Sequence, residues 1–473
     1  MKTRFPTPVI IIGAGPTGLG AAHMFHRSGF EDWTLFEASD TAGGLSRSIR
    51  DEAGYTWDIG GHVTFSHYDL YSRLLDDLWS TDEWLYHDRV SRVRLRDTWV
   101  PYPFQNNLHR LPPETRDYCL RELLRVAQDR TKRDTFANFD DFNLKTFGRG
   151  ITEIFMRPYN FKVWGFHPRK LSADWIAERV SVPDVERVRK NVEQNRDDVA
   201  WGPNNRFRFP AHGGTGAIWT SVAGRLPQDK IKTGARVAAV DLEKHQVTLD
   251  NGETVDYGSL ITTMPLDRFC RIANNDNLVR STENLIHSSV HVIGLGLHGA
   301  PDGELAQTCW MYFPDDNCPF YRGTHFSLYS PRNVPDADSG WSLMFEVSET
   351  PDKPVDHDRV LDRTMTGAVN AGLIGSRNEI VHTFHHREEY GYPTPSLDRD
   401  RSLHALLPAL AEHNVLSRGR FGAWKYEVAN MDHSFMQGVE AAAHIMCGAP
   451  ELTLWEPNLV NTKHPVLGWR RMA

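Results

Sequence analysis

Glycines 13, 15 and 18 directly follow the apolar run Val9 to Ile12, and Glu37 closes the next apolar run before a second glycine pair, Gly43 and Gly44. This spacing suits a dinucleotide: one glycine bends the chain, one lets the backbone approach a pyrophosphate, and one packs helix against strand. The helix that follows would aim its N-terminal N–H groups at phosphate oxygens. An acid roughly 20 residues further on would accept from a ribose hydroxyl. Arginine and tyrosine recur together in five further blocks, Trp99 to Asn107, Phe155 to Trp164, Trp310 to Arg322, Tyr390 to Pro395 and Arg420 to Tyr426. A guanidinium binds two phosphate oxygens at once and a phenol donates without adding charge, so the pairing suits a diphosphate. Taken singly, each of these residues also fits a plainer role, the aromatic in a core and the arginine in water.

The elements that would position these residues follow from periodicity and turn chemistry. Leu120, Leu123, Leu124 and Ala127 predict an amphipathic helix over about 110–132, with more helix to about residue 200. Arg236 to Val240, Gln246 to Leu249 and Thr254 to Thr262 are β-like, and Asp250-Asn251-Gly252 predicts a hairpin between the last two. This β segment is expected to return to the nucleotide-binding sheet. Between about 290 and 390 strands recur, at Val290 to Leu297, Trp341 to Val347 and Ile380 to His385. No long linker, repeat or low-complexity tract divides the chain, which predicts interleaved domains with a ligand in the cleft between them.

The 473 residues, 40% of them hydrophobic, predict two or three domains. A net charge of −8 offers no basic footprint for nucleic acid. Five scattered cysteines (119, 270, 309, 318 and 447) without a CxxC pair argue against a disulfide framework and for a reducing compartment. No run approaches the ~18 apolar residues of a membrane span, and the first strand begins at once, so a cytoplasmic protein is expected. His382, His385 and His386 lack a cysteine or carboxylate in a recognised metal-ligand spacing, and no metal site is expected. Asp432 and His433 resemble part of an acid/base pair, yet no GxSxG elbow accompanies them.

Together with Gly60-Gly-His-Val-Thr-Phe-Ser-His67, Phe209-Pro-Ala-His-Gly-Gly-Thr-Gly216 and Asn430-Met-Asp-His-Ser-Phe435, the blocks resemble the UDP-galactopyranose mutases, most of all the eukaryotic type, from Val9 to about Val460. The resemblance implies an α/β fold in three interleaved parts. These are a Rossmann-type FAD-binding domain (1–80, 207–268 and 416–473), a helical domain (106–206) and an antiparallel-sheet substrate domain (81–105 and 269–415). It also implies an isomerase that interconverts UDP-galactopyranose and UDP-galactofuranose with no net redox change. In that family N5 of reduced FAD attacks the anomeric carbon and UDP departs. The covalent flavin–sugar adduct opens, recloses through the 4-hydroxyl and is released by returning UDP. NADPH or NADH serves only to reduce the flavin.

Carried over by motif, Arg179 and Arg322 would grip the diphosphate, with hydrogen bonds from Tyr312, Tyr392 and Tyr426. Tyr102, Phe104 and Gln105 would form the base pocket, and Asn160, Trp164 and Asn204 would line the sugar and diphosphate. His62 falls where the family has a loop that moves with flavin redox state, which implies a positional role. Arg89, Arg420 and Asn430 would lie beside the flavin, and Gly13, Gly15, Thr17, Gly18, Glu37, Gly44, Gly61 and Val237 would complete its site. Ala200 and Met431 depart from the family pattern, as do Gly323, His325, Leu328 and Arg332, and a long insertion found in fungal relatives is missing. These departures leave the sugar, the base and any homo-oligomeric state open, with a GDP-hexose as the alternative substrate. A flavin oxidase working through oxidised FAD is a further alternative, against which the Arg179/Arg322 pair and its tyrosines speak; a flavin sensor that binds without catalysis is another.

Overall fold

The computed structural model describes residues 5–129, 135–176, 179–199, 202 and 205–461. Ala200 and Asn204, both singled out from the sequence, lie outside the described residues.

Val9–Ile12 is buried along its whole length, as a strand covered on both faces must be. It sits at the centre of a five-stranded, wholly parallel sheet ordered Val415–Ser417, Ser259–Thr262, Val9–Ile12, Trp33–Phe36, Ile231–Lys232. The helix Pro16–Arg27 leaves the central strand through the glycine turn, with proline in its first turn, where a missing N–H costs nothing. Against it packs Met431–Cys447, a helix buried on nearly every side. Glycine is required where these helices cross. A Cβ on Gly20 would stand 2.2 Å from the Phe435 carbonyl oxygen, and one on Gly438 would stand 1.8 Å from that of Thr17.

The expected β segment after residue 236 divides in two. Val237–Asp241, Gln246–Leu249 and Thr254–Asp256 form a small antiparallel sheet whose Asp250 to Gly252 turn is the predicted hairpin. The chain then breaks at Tyr257 and Gly258 and re-enters the parallel sheet as Ser259–Thr262.

The helical region holds Pro113–Gln128, Phe139–Ile151, Arg157–Trp164 and Val185–Gln194. Pro112 and Pro113 start the first of these later than periodicity suggested. Between the second and third runs a π-turn, Thr152–Met156. Such an insertion rotates the helix that follows it and is frequent at functional sites. It also lets Pro158 stand at the start of a new helical stretch.

The third layer is a seven-stranded sheet ordered Ile380–Pro393, His287–His298, Gly340–Glu349, Arg322–His325, Trp310–Tyr312, Ser91–Leu95, Thr98–Pro101. The expectation of an antiparallel sheet needs a correction: Trp310–Tyr312 pairs with Ser91–Leu95 in parallel, and the sheet is mixed. These two strands are far apart in sequence, so no tight turn dictates their relative direction. Tyr312, Arg322 and Glu346 fall in one cross-strand row of this sheet.

Candidate active site

A cavity of about 610 Å³ opens where the parallel strands end, lined there by Gly13, Glu37, Thr263 and Gly419, and runs on to the seven-stranded sheet and the π-turn. Ligands bind outside the carboxyl ends of such strands. Gly13 takes φ +98°, which few other residues adopt, and a Cβ there would meet Thr263 Oγ1 at 2.2 Å. Gly15, Thr17 and Gly44 also line the cavity. Gly18 does not; it packs beneath the turn, where a Cβ would meet the Gly13 carbonyl at 1.8 Å. The Glu37 carboxylate is fixed by two backbone donors, Ala14 N at 2.6 Å and Ser39 N at 2.8 Å. The helix Pro16–Arg27 has no capping side chain and no acid in its first turn, so its N-terminal donors remain for an anion. This turn, helix end and acid fit the pyrophosphate and ribose of a flavin dinucleotide.

Val237 was expected to contact the cofactor and does not line the cavity. It pairs with Leu249 in the small sheet and packs into the apolar core there.

The middle of the cavity is organised by a carboxylate. Glu346 accepts from Arg322 Nε at 2.7 Å and Nη2 at 2.6 Å, from Tyr321 Oη at 2.6 Å and from the Gly61 backbone N–H at 2.9 Å. Burial pushes the Glu346 carboxyl up, but the Arg322 charge and these hydrogen bonds outweigh it and hold it below the usual value. Arg322 also lies over the Trp310 ring, 5.0 Å from its centroid. His62, next to Gly61, has a buried Nδ1 with no hydrogen-bond partner. Burial pulls its pKa down to about 4, which leaves a neutral imidazole near pH 7. Asp432 accepts from His67 N at 3.0 Å and approaches its Nδ1 at 2.7 Å, so it pins the far end of the same loop to the helix Met431–Cys447.

Arg179 and Arg420 converge on Tyr426, at 4.5 and 5.7 Å from the ring centroid. Arg179 donates to Asn430 Oδ1 at 3.1 Å and to the Glu427 carbonyl at 3.0 Å. Arg420 donates to the carbonyls of Gly391 and Ala429 at 3.0 and 3.2 Å. Neither arginine pairs with a carboxylate among the described residues, so this end of the cavity carries uncompensated positive charge. Arg420 and Asn430, expected beside the flavin, thus both stand with Arg179. Tyr392 touches the two halves of the site: its Oη is 3.4 Å from Arg322 Nη2, and Arg420 lies over its ring at 5.0 Å. Burial raises the pKa of Tyr102, Tyr312 and Tyr392, so their phenols stay protonated and able to donate.

Tyr102, Gln105, Asn160 and Trp164 all line the cavity. Gln105 donates its amide to the Ser181 carbonyl, which leaves the amide oxygen free to accept. Asn160 donates to the Met156 carbonyl at 2.7 Å. Trp164 meets Tyr426 edge-on at 4.8 Å. One expectation here needs correction. Phe104 is fully buried behind the wall and stacks at 4.6 Å on Phe155, which lines the cavity in its place. Arg89 lines the cavity and lies over the Tyr102 ring at 5.5 Å, a cation–π contact.

Sequence reasoning missed Glu346 and singled out Tyr321 and Phe155 only as members of their blocks. Glu346 left a trace, a lone acid in the apolar run Leu343 to Val347.

Comparison with known proteins agrees with this geometry. The family described as flavin containing amine oxidoreductase matches residues 16–446. The crystal structure of a reduced UDP-galactopyranose mutase is 46% identical, covers 96% of this chain and 97% of its own, and superposes with a TM-score of 0.93. The chain belongs to the UDP-galactopyranose mutase family. It is a flavin-dependent mutase, an isomerase built on the amine-oxidase type of flavoprotein fold. More distant structures share only that fold. Cyclohexylamine oxidase from Brevibacterium oxydans IH-35A is 15% identical over 93% of this chain and 99% of its own, with a TM-score of 0.65. A CLA-producing fatty acid isomerase from P. acnes is 16% identical over 92% and 98%, with a TM-score of 0.64. Among the described residues of this mutase, no helix is long and apolar enough to cross a membrane.

Proposed function

We propose that this mutase interconverts UDP-galactopyranose and UDP-galactofuranose on non-covalently bound FAD that NADPH or NADH has reduced. The observation that carries the reading is one cavity joining a dinucleotide turn to Arg179 and Arg420, two arginines without carboxylate partners among the described residues. A nucleotide diphosphate supplies the charge that this end lacks. Bound reduced flavin supplies the nucleophile for the anomeric carbon, with no net redox change.

The chain's own residues hold the parts in place. Arg179 and Arg420, with Arg322 behind them, would stabilise the diphosphate as its charge grows on departure and keep it for recapture. The phenols of Tyr312, Tyr392 and Tyr426 would donate to its oxygens. Tyr102 and Gln105 would hold the uracil, the ring by contact and the amide oxygen by accepting from the base. His62, neutral and on a loop tied to Glu346 through Gly61, would position the flavin without transferring a proton. In this reading residues 1–80, 207–268 and 416–473 carry the FAD, 106–206 close the cavity with helices, and 81–105 with 269–415 present the sheet.

The test is to incubate dithionite-reduced protein anaerobically with each UDP-galactose isomer and separate the nucleotide sugars by chromatography. Interconversion that disappears with oxidised flavin is expected. Its absence from protein with FAD bound and reduced would overturn the UDP-galactose assignment and turn the search to GDP-hexoses.

A further inference from the structure

The seven-stranded sheet turns a second cluster of titratable side chains away from the cavity. Val290 and Glu388 line the cavity, so alternation puts their neighbours His291 and Arg387 on the opposite face. There His291 Nε2 lies 3.3 Å from Glu349 Oε2, and His357 Nε2 lies 2.7 Å from Glu349 Oε1. The ligand atoms of all three residues fall within 4.8 Å of one another. On the neighbouring strand, His385 brings Nε2 to 2.9 Å from His291 Nδ1. The His291 side chain is fully buried while that of His357 is 52% exposed, so the cluster opens to solvent on one side. Arg387 donates to Glu349 Oε2 at 2.7 Å and to Ser289 Oγ at 3.0 Å, which leaves Oε1 on the His357 side.

We propose that His291, Glu349 and His357 bind a transition-metal ion of the zinc class, with solvent completing its coordination and His385 fixing the tautomer of His291. A tetrahedral ion with bonds of about 2.0–2.1 Å holds neighbouring ligand atoms about 3.3 Å apart. His291 Nε2 and Glu349 Oε2 already stand at that separation, and the ligand atom of His357, on an exposed segment, lies within 4.8 Å of both residues' ligand atoms. Two imidazoles and one carboxylate suit zinc or its neighbours, whereas calcium and magnesium take oxygen ligands. If His291 Nδ1–H donates to His385, the Nε2 lone pair faces the ion, the arrangement typical of metal-bound histidine. The ligands come from two strands and the segment after the second, so the ion ties residues 350–357 to the sheet. Within that segment Thr350 donates to the Gly165 carbonyl at 2.6 Å, just where the helix carrying Asn160 and Trp164 ends. His382 and His386 take no part: their nearest carboxylates are Asp51 at 2.7 Å and Glu388 at 3.4 Å.

The test uses the full chain with its flavin, stripped with a chelator, titrated with zinc chloride by calorimetry, then desalted and assayed for metal. One zinc per chain is expected in the wild type. His357→Ala and Glu349→Gln should lose retained zinc, and His385→Ala should weaken affinity roughly 10- to 100-fold, the cost of removing a residue that orients a ligand. His357 is exposed, so its variant should keep its flavin and Tm, and added zinc should raise Tm in the wild type alone. No retained zinc in the wild type, or equal retention in His357→Ala and Glu349→Gln, would overturn the site and leave a hydrogen-bonded histidine chain.

Discussion

Arg322 gives one edge of its guanidinium to Glu346 and a face to Trp310, so it enters the cavity already oriented. Among the described residues Arg179 and Arg420 are oriented by carbonyls, an amide and aromatic rings rather than by carboxylates. Removing Arg322 as Arg322→Ala should cost about 2–4 kcal/mol in transition-state stabilisation, the range for one charge-stabilising donor. Initial rates of the reduced variant check this, and near-normal turnover would refute the role. The same change leaves Glu346 buried without its cation, so a lower Tm should accompany the lost rate. Gln105→Ala should weaken UDP binding by about 1–3 kcal/mol, the cost of leaving buried hydrogen-bonding groups unmatched. Calorimetry with UDP decides it; unchanged affinity would take Gln105 out of the site.

The helices Pro16–Arg27 and Met431–Cys447 cross at close range, with glycine at both contact points. Gly438→Ala would drive a methyl group into the Thr17 carbonyl, and overpacking of this kind costs about 1–3 kcal/mol. Because Thr17 lines the cavity, flavin content per chain should fall together with Tm; a variant with full flavin and wild-type Tm would show that the crossing can relax. Elements set by local rules were legible in the sequence. Val9–Ile12 is an unbroken apolar run, the glycine turn follows it at once, and Asp250 to Gly252 has hairpin chemistry. Facing and long-range pairing were not legible. Phe104 and Phe155 are the same residue type, and only the packed chain decides which one fronts the cavity. The parallel seam between Ser91–Leu95 and Trp310–Tyr312 joins segments with no turn between them. His291, Glu349 and His357 likewise meet only once two strands are in register. Arg420 and Arg89 were recognised from motif likeness alone, and both line the cavity.

For the molecule as a whole, pH acts on stability in two opposing ways. Burial holds His23, His62 and His325 neutral, with pKa near 4, and His433 near 3. The unfolded chain takes up these protons below about 6.5, so the histidines favour folding above that pH and lose their contribution as pH falls towards 4. Asp58 and Glu440 act in the other direction, since burial pushes them up to about 7 and about 8. Both stay protonated in the fold while the unfolded chain ionises near 4, so their contribution is full in acid and lost as pH rises through 7 and 8. The four histidines outnumber the two carboxyls on the acid side. Tm should therefore climb to about pH 6.5 and then decline gently towards pH 8, with Asp58→Asn flattening the decline. A Tm that continues to rise through pH 8 would contradict this account. The crossing of Pro16–Arg27 with Met431–Cys447 also bears on the order of manufacture. A ribosome adding about 5–20 residues per second needs on the order of 20–80 s to extend the chain from Arg27 to Met431. Throughout that interval the helix after the glycine turn lacks the helix that packs against it, so the nascent polypeptide should capture flavin only after Met431–Cys447 has been made.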